Sequence, residues 1–507
     1  MLRYFYNTVM KKHLSKKKFA LTLLSLLVAI VVVGGILLYN AGFYGLGAFY
    51  PVQENDFYAS VPYEDYIDYS LVPSATAVDV RNYGASGDNS AIVNSRAINT
   101  AIKEVSKRGG GEVLISGGKY TSATINLQSN VTLFIEKDSA LVSSRSFFDI
   151  STAFIRANNV ENVCITGGGK VLGEGDFFVK PPKNTSESEP TAVSDIRLMK
   201  EEYWSRIRFG KLGRPKYMMW FEDCKNVTVN NIALENSPDW TLCVEKSDGA
   251  VIENLIINNN RRVANTDGID IMASSNVSVS HTFISTADDG IVLKNPTGNA
   301  MSGIRIYDCA VSTRTNAFKI GSETRGDISN VTVSNFYAFS EDVYPGGISG
   351  ISIESMDGAR VSGISITDFK TKNITCPLFV RLGNRNRYLT GSWKGTVANV
   401  TISNFTAENA ELPSIITGVS NGKNKVIYVE NIVLNNFTVS YRECPEVVIL
   451  PESVPEYATE YPENWDFKDV PAYGLYARHV KGLNISSFAV TPRSQNTREL
   501  LFYEDIL

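Results

Sequence analysis

The sequence of 507 residues predicts an all-β protein whose body is a right-handed parallel β-helix. A short alternating strand flanked by asparagines recurs along the body, as at residues 226–232 and 330–336. In the middle of the chain the copies recur roughly every 22 to 36 residues, a period typical of solenoids and propellers. A propeller needs four strands per repeat, and these repeats are too short for that. A parallel β-helix needs three short strands per coil, with asparagines at the turns, so the pattern favours the β-helix.

The N-terminal part falls into three segments. Residues 1–18 are basic, and residues 19–38 form an uncharged apolar run long enough to cross a bilayer as a helix. Because lysines precede this run and acids follow it, we expect a cytoplasmic N-terminus, a single-pass transmembrane signal-anchor in the cell membrane and an extracellular body. Secretion after cleavage is the alternative. Residues 39–76 predict a stalk, or else an irregular strand packed along the body.

The body is predicted to span residues 77–507 and to begin with one helix at residues 89–107. Three glycines at 109–111 end this helix, and its apolar stripe is expected to cover the open end of the solenoid. The stripe consists of Ile92, Val93, Ala97, Ile98, Ala101, Ile102 and Val105.

Two polar stretches, residues 171–216 and 441–472, interrupt the repeats. Long excursions from a regular solenoid usually wall a binding groove, and surface decoration is the alternative for the first of them. Its charged residues 193–207 predict a helix.

Composition excludes several classes of function. A net charge of -4 gives no basic footprint for nucleic acid. The chain holds six cysteines without a C-x-x-C pair and three histidines, which argues against a zinc site, a disulfide scaffold and a histidine triad. We therefore expect catalysis by carboxylates, with no metal or cofactor, in a monomer.

Three aspartates close apolar strand-like runs where turns begin: Asp267, Asp288 and Asp289. They lie about one repeat apart, so stacked coils would bring them to one face. Paired carboxylates on a rigid sheet can hydrolyse a glycosidic bond, with one protonating the leaving oxygen and one activating water. The alternative is that these aspartates only make turns.

Several motifs belong to one pattern. They lie at residues 80–85, 109–113, 214–215, 236–241, 265–267, 288–289 and 471–480. Together they resemble glycoside hydrolase family 28, the polygalacturonase-like pectinases. The resemblance implies that Asp288 is the general acid and that Asp267 and Asp289 activate water, with inversion at the anomeric carbon.

The resemblance also implies substrate contacts. Asn265 belongs to the first aspartate motif, and Lys294 matches a lysine of the family, although a solvated turn lysine is its alternative. For inversion, the acid and the base are expected to lie about 6.5–9.5 Å apart.

Two motifs depart from the family. Its Gly-His-Gly is absent at residues 315–323, and its Arg-Ile-Lys, which grips the substrate carboxylate, is replaced by Ser352-Ile353-Glu354. Either another group binds a uronate, or the sugar in the cleaved subsite is not one. Arg381 is the best substitute; Arg385 and Arg387 flank it, and a solvated basic loop is the alternative for these two.

Four further residues are candidates for substrate binding. Lys319 and Glu323 lie one coil beyond the aspartates, and Tyr473 and His479 lie in a coil near the C-terminus. Core or turn structure is the alternative for all four.

The function predicted first is that of an inverting glycosidase acting on pectin-type polysaccharide or oligosaccharide. A polysaccharide lyase and a non-catalytic surface protein that binds carbohydrate are the alternatives, since the fold alone does not choose among them.

Overall fold

The computed structural model describes residues 59, 61–180, 206–207 and 214–507, except 147, 151, 262, 342–345, 386, 388–394, 421–424, 443–452, 468 and 493–497. The predicted segments 1–18 and 19–38 and the stalk up to residue 58 lie outside this part. Within it, no helix is both long and apolar enough to cross a membrane. The described residues of 59–144 and 148–507 form one compact unit, to which the elements below belong.

Strands dominate this unit. The described helices are α1 (Tyr63–Tyr66) and α2 (Ala91–Lys107), with 3-10 turns at Val80–Tyr83, Gly175–Phe178 and Asn464–Phe467. The strands of the N-terminal coils are β1 (Val78–Asp79), β2 (Gly111–Ile115), β3 (Lys119–Ser122), β4 (Ile125–Asn126), β5 (Val131–Ile135), β6 (Ala140–Ser143), β7 (Ala153–Asn158), β8 (Glu161–Thr166), β9 (Lys170–Leu172), β10 (Val179–Lys180) and β11 (Arg206–Ile207). The strands of the middle coils are β12 (Tyr217–Glu222), β13 (Lys225–Glu235), β14 (Trp240–Glu245), β15 (Asp248–Asn258), β16 (Ile269–Met272), β17 (Ser275–Thr286), β18 (Ile291–Asn295), β19 (Met301–Thr313), β20 (Asn316–Thr324) and β21 (Ile328–Phe339). The strands of the C-terminal coils are β22 (Gly347–Ser355), β23 (Arg360–Lys372), β24 (Ile374–Leu382), β25 (Thr396–Ala410), β26 (Ser414–Thr417), β27 (Val419–Ser420), β28 (Val426–Ile427), β29 (Val429–Tyr441), β30 (Ala472–Thr491) and β31 (Glu499–Ile506).

The strands stack as the coils of a parallel β-helix, as predicted. Along one side, β16 pairs in parallel with β14 before it and with β18 after it, and β18 pairs with β20. The longer strands cover two sides of a coil, because β13 pairs with β8 through its first half and with β9 through its second half.

Asparagines make the turns between the sides. Asn226 and Asn231 both adopt a left-handed backbone, with φ of 54° and 51°, a conformation that asparagine tolerates better than most residues. The side-chain amide of Asn226 donates to Asn162 one coil away at 3.0 Å, and Asn162 donates to Asn130 at 2.8 Å. Asparagines at the predicted turns therefore form a ladder of hydrogen bonds from coil to coil.

The interior is filled by stacked apolar side chains. Five phenylalanines on consecutive coils stack nearly parallel, with neighbouring ring centroids 4.7, 5.8, 4.2 and 5.2 Å apart. They are Phe336, Phe369, Phe405, Phe437 and Phe488. Close packing of this column makes the coils rigid. Side chains on the outer face of the coils are therefore held in fixed positions.

Helix α2 packs its apolar face on the N-terminal coils, where Ile98, Ala101 and Ile102 are fully buried. The predicted stripe is wrong in the first turn, since Ile92 and Val93 are exposed. Polar residues take their place there: Ser95 donates to the carbonyl of Thr124 at 2.8 Å, and Asn94 is buried with it. Backbone carbonyls at the edge of the first coils need hydrogen-bond donors. Apolar side chains cannot provide them, so polar residues occupy this turn of the helix.

The described end of the predicted stalk, from residue 59 on, packs against the body. For these residues the alternative prediction, an irregular segment packed along the body, is the correct one. Ala59 and Ile67 are buried against Ala233, Ile256 and Phe283 in one apolar cluster. The tyrosines of this segment supply the apolar area that a free stalk would leave in water.

The first insertion contains a short hairpin-like pairing. Strands β10 and β11 run antiparallel, so residues 206–207 are extended rather than the end of the predicted helix 193–207. The rest of that predicted helix lies outside the described residues.

Candidate active site

The three aspartates lie at the starts of two neighbouring strands. Strand register aligns Ile269 with Ile291, which places Asp267 over Asp289 on adjacent coils. The amide of Gly268 donates to the carbonyl of Asp289 at 2.9 Å. The sequence prediction that the two motifs meet on one face is therefore confirmed by the fold.

The glycine after each motif lets the coils approach. A Cβ on Gly268 would lie 2.5 Å from the carbonyl oxygen of Gly290, and a Cβ on Gly290 would lie 2.6 Å from that of Ala317. Any larger residue would push the coils apart at this point. These glycines therefore set the distance between the coils that carry the carboxylates.

We call Asp267, Asp288 and Asp289 the aspartate trio. One carboxylate oxygen from each lies within 4.8 Å of the others. Asp288 is partly exposed, while Asp267 and Asp289 are buried. The backbone amide of Asn265 donates to Asp288 at 3.2 Å, so Asn265 lies at the trio, as predicted.

The nearest oxygens of the trio lie within 4.8 Å of one another, whereas the expected 6.5–9.5 Å is a separation between whole carboxyl groups. Two hydrogen bonds of about 2.8 Å each still span this gap, so one water molecule can contact two of the carboxylates.

Asp289 is surrounded by groups that favour its ionised form. It accepts from Asn316 at 2.8 Å and from Thr315 at 3.0 Å, and the ammonium of Lys319 is 3.5 Å away. Burial would raise its pKa, but Lys319, Lys294 and these hydrogen bonds hold the pKa of Asp289 below its usual range.

Asp267 has the opposite tendency. Lys294 donates to Asp267 at 2.8 Å and to Asp270 at 2.5 Å, and its ammonium lies 3.8 Å from the Trp240 ring centroid. Burial raises the pKa of Asp267 well above its usual range, and the charge of Lys294 opposes this shift only in part. Lys294 is buried, so the solvated-lysine alternative is wrong, and its observed partners are carboxylates.

Lys319 lies at the centre of a second group, which we call the Lys319 cluster: Lys319, Ser352, Glu354, Tyr461 and Glu463. Its ammonium is 3.8 Å from Glu354, 3.5 Å from Glu463 and 5.6 Å from the Tyr461 ring centroid. Ser352 donates to Glu354 at 2.7 Å. The cluster adjoins the trio because Lys319 also faces Asp289.

The sequence matches the model of a known protein family. The family described as "Glycosyl hydrolases family 28" matches residues 109–455, more than half of the chain. The chain belongs to glycosyl hydrolases family 28. It is therefore a glycosidase.

Three similar proteins illustrate the relationship. An endo-polygalacturonase of Pectobacterium carotovorum subsp. carotovorum is 28% identical over 309 residues, covering 56% of this chain and 72% of the relative. A hyperthermoactive exopolygalacturonase from Thermotoga maritima aligns with a TM-score of 0.58 at 22% identity, covering 75% of this chain and 90% of the other. The family 28 exopolygalacturonase of Yersinia enterocolitica gives a TM-score of 0.61 at 18% identity, covering 85% of this chain and 77% of the other. These two structures support the β-helical fold.

In this family 28 chain the turn at Asn265 is held by Arg214. Arg214 donates to the carbonyl of Ala264 at 2.8 Å and to Asn265 at 3.3 Å, and it pairs with Asp239 at 2.8 Å. Burial raises the pKa of Asp239 to about 7, against the charge of Arg214. Arg214 therefore positions the residue that contacts Asp288.

Glu323 binds other protein groups. It pairs with Arg387 at 3.3 Å and lies 3.8 Å from Arg385. Arg385 is bound to Asp357 at 2.7 Å and is nearly buried, whereas the side chain of Arg387 is half exposed. A solvated loop thus describes Arg387 but not Arg385.

Arg381 does not supply a cation to the site. The residue is 1% exposed, and its guanidinium donates to the carbonyls of Glu456 and Tyr457 at 2.5 and 2.7 Å. The described part of the second insertion covers it, and Arg478 supports the same segment through the carbonyl of Val454 at 2.6 Å. The prediction that Arg381 is the substitute is wrong, because the residue is buried and its Nη2 donates to the backbone of the insertion.

Tyr473 and His479 lie away from the aspartate trio. Both belong to β30, which follows β18 through β20, β22, β24 and β26 in the stack. Five coils of about 4.8 Å separate them from Asp288, a distance of about 24 Å. His479 bonds Asp505 at 2.6 Å and Glu456 at 3.2 Å instead.

Three residues near the trio were missed by sequence reasoning: Asp270, Tyr461 and Glu463. Asp270 is the one aspartate of residues 265–295 outside the trio, and its position three residues after Asp267 was the available signal. Tyr461 and Glu463 come from the second insertion, which reaches back over the coils so that Asn464 donates to the carbonyl of Ile348 at 2.6 Å. The prediction that this insertion walls a groove agrees with that placement.

Proposed function

We propose that the body hydrolyses glycosidic bonds of pectin-type polysaccharide or oligosaccharide with inversion of the anomeric carbon. The observation that carries this is the aspartate trio, whose oxygens converge within 4.8 Å on two rigid coils. The printed names of the relatives, endo-polygalacturonase and exopolygalacturonase, support the pectin-type substrate.

Each member of the trio has a proposed role. Asp288 is the general acid, since it is the most accessible member and the leaving oxygen must reach it. Asp289 is the base for the attacking water, because its surroundings keep it ionised. Asp267 shares that water, and the crowding of three carboxylates keeps one proton within the trio at neutral pH.

Charge-removing substitutions test these roles. Asp267→Asn, Asp288→Asn and Asp289→Asn should each abolish release of reducing ends from galacturonans and rhamnogalacturonans, while circular dichroism shows an intact fold. Asp308→Asn is the matched control, since Asp308 is an exposed aspartate of β19 that bonds Asn335 at 2.6 Å. Full activity in Asp288→Asn would refute the acid assignment, and an unsaturated product would indicate a lyase.

Anchoring in the cell membrane through residues 19–38 is also proposed, on the strength of the apolar run and the lysines before it. The full chain should sediment with membranes and a chain starting at residue 45 should not. The right-handed winding, the extracellular location of the body and the monomeric state stay predictions.

A further inference from the structure

We propose that the subsite beside Asp289 accepts an uncharged glycosyl unit, either a neutral sugar or an esterified uronate, and discriminates against a free uronate. This inference rests on the proposed hydrolysis and specifies its substrate. It follows from the surroundings of Lys319, from the burial of Glu354 and from the pairing of the other cations near the trio.

Lys319 is buried among carboxyl groups. Its side chain is 1% exposed and has carboxylate oxygens of Asp289, Glu354 and Glu463 within 3.8 Å. One ammonium among three carboxyl groups has no charge left to offer an anion, and its burial keeps it out of reach of one.

Glu354 lies on β22, the coil next to Lys319, since Lys319 pairs with Ser352 in the strand register. Glu354 is fully buried, and its Oε2 has no hydrogen-bond partner among the described residues. Gly321 lies against this carboxyl group, since a Cβ there would be 2.7 Å from Oε2. A carboxyl group in this place offers no positive charge to a uronate. Because burial raises the pKa of Glu354 to about 8, it adds negative charge only in more alkaline solution.

The other cations near the trio are buried, paired or on its other side. The exposed Lys216 lies over the Tyr217 and Trp240 rings, 4.7 and 5.0 Å from their centroids, at the start of β12, which is three coils before β18. The side chains of Lys294 and Arg214 are 6% and 1% exposed, and each is paired with aspartates. Arg381 is committed to the insertion backbone. The half-exposed Arg387 already pairs with Glu323, so none of these named cations is both accessible and uncommitted on the Asp289 side of the trio.

The surface that a sugar would meet here is aromatic. Tyr461 is 43% exposed, and it covers Lys319 from the outside with its ring 5.6 Å from the ammonium. An aromatic ring over a neutralised lysine suits the apolar face of an uncharged sugar.

The experiment identifies the units on either side of each cleaved bond. The enzyme digests partially methyl-esterified galacturonan and rhamnogalacturonan in ¹⁸O-water, and mass spectrometry places the label and the esters in each product. An uncharged unit should flank every cleaved bond. Cleavage between two free uronates would overturn the inference while leaving the proposed hydrolase intact.

A matched substrate pair measures the effect. Tetragalacturonate and its fully methyl-esterified form share stereochemistry and linkage and differ in charge. We expect kcat/KM to favour the ester by at least about tenfold, because like charges brought together in a closed site repel strongly. Equal rates, or a preference for the free acid, would overturn the inference. Failure to hydrolyse any glycan would refute the proposed function itself.

Substitutions locate the source of the preference. Glu463→Gln should reduce the ratio of ester to acid turnover at neutral pH, since it removes a negative charge with little change in shape. Glu354→Gln should do so only above about pH 8, where the carboxyl group of Glu354, whose pKa is about 8, is ionised. Glu222→Gln is the control, because Glu222 lies on an earlier coil of the same side and pairs with Lys246 at 2.8 Å. A ratio that stays unchanged in both cluster variants would remove Glu354 and Glu463 from the explanation.

Discussion

At the scale of single residues, Lys294 balances the charge of the buried aspartates. It touches Asp267 and Asp270 at 2.8 and 2.5 Å, and all three side chains are buried. Sequence reasoning found Lys294 by its motif but assigned it to substrate. Asp270 was visible as a fourth aspartate, yet only the register of β16 and β18 shows that it faces the same lysine.

Removing this cation should destabilise the protein. Lys294→Met leaves two buried carboxylates without compensation and should lower the free energy of unfolding by about 3–5 kcal/mol, with loss of activity. Urea denaturation measures the change. Adding Asp270→Asn should restore part of the stability, and Lys246→Met, which removes a surface pair, should cost at most about 1 kcal/mol. Wild-type stability in Lys294→Met would contradict this account.

Glu354 should make stability depend on pH. Burial raises its pKa to about 8 in the folded protein, against the pull of Lys319, whereas the unfolded value is about 4.3. Between these values the folded state holds a proton that the unfolded state releases, so this group's contribution falls as the pH rises. The Tm of Glu354→Gln relative to wild type should therefore increase from pH 5 to pH 8. A difference that is constant across this range would contradict the assignment.

At the scale of elements, the strands were predictable because apolar residues alternate with polar ones and asparagines mark the turns. The first turn of α2 was not, since the periodicity of Ile92 and Val93 does not reveal that backbone carbonyls lie opposite that turn. Likewise, Tyr461 and Glu463 belong to an insertion without periodicity, so their place beside Lys319 required the structure.

The glycines after the aspartates should be intolerant of substitution. Gly290→Ala places a Cβ 2.3 Å from Val311 and 2.6 Å from the Ala317 carbonyl oxygen, so the coils must shift and displace Asp289. We expect a loss of activity and about 1–3 kcal/mol of stability. Gly298→Ala, where a Cβ meets nothing within 4 Å, is the control. Normal kinetics in Gly290→Ala would show that coil height does not position the trio.

The cap formed by α2 should depend on its buried face. Ile102→Ala should cost about 2–5 kcal/mol because it opens a cavity over the first coils. Ile92→Ala, at a position that is 40% exposed, should change stability by less than about 0.5 kcal/mol. Thermal unfolding of both variants tests the packing, and equal effects would contradict it.

At the scale of the whole molecule, the chain combines a repetitive β-helix with one long insertion, residues 441–472, whose described part contacts earlier coils. The coils hold the aspartate trio in place, and the second insertion returns from the C-terminal end to complete the Lys319 cluster. Its described residues are anchored by Arg381 and Arg478. The repeat pattern was sufficient to predict the scaffold and the trio, but the partners of the lysines come from segments distant in sequence.

The central claim is that the aspartate trio hydrolyses a glycosidic bond with inversion. Proton NMR of the products at early times, with a pectin polymer that the enzyme cleaves, tests it most directly. The account predicts that the new reducing end appears first in the anomer opposite to that of the cleaved bond, and that Asp288→Asn gives no product. A new reducing end with the same anomeric configuration as the cleaved bond would contradict it, and so would an unsaturated product.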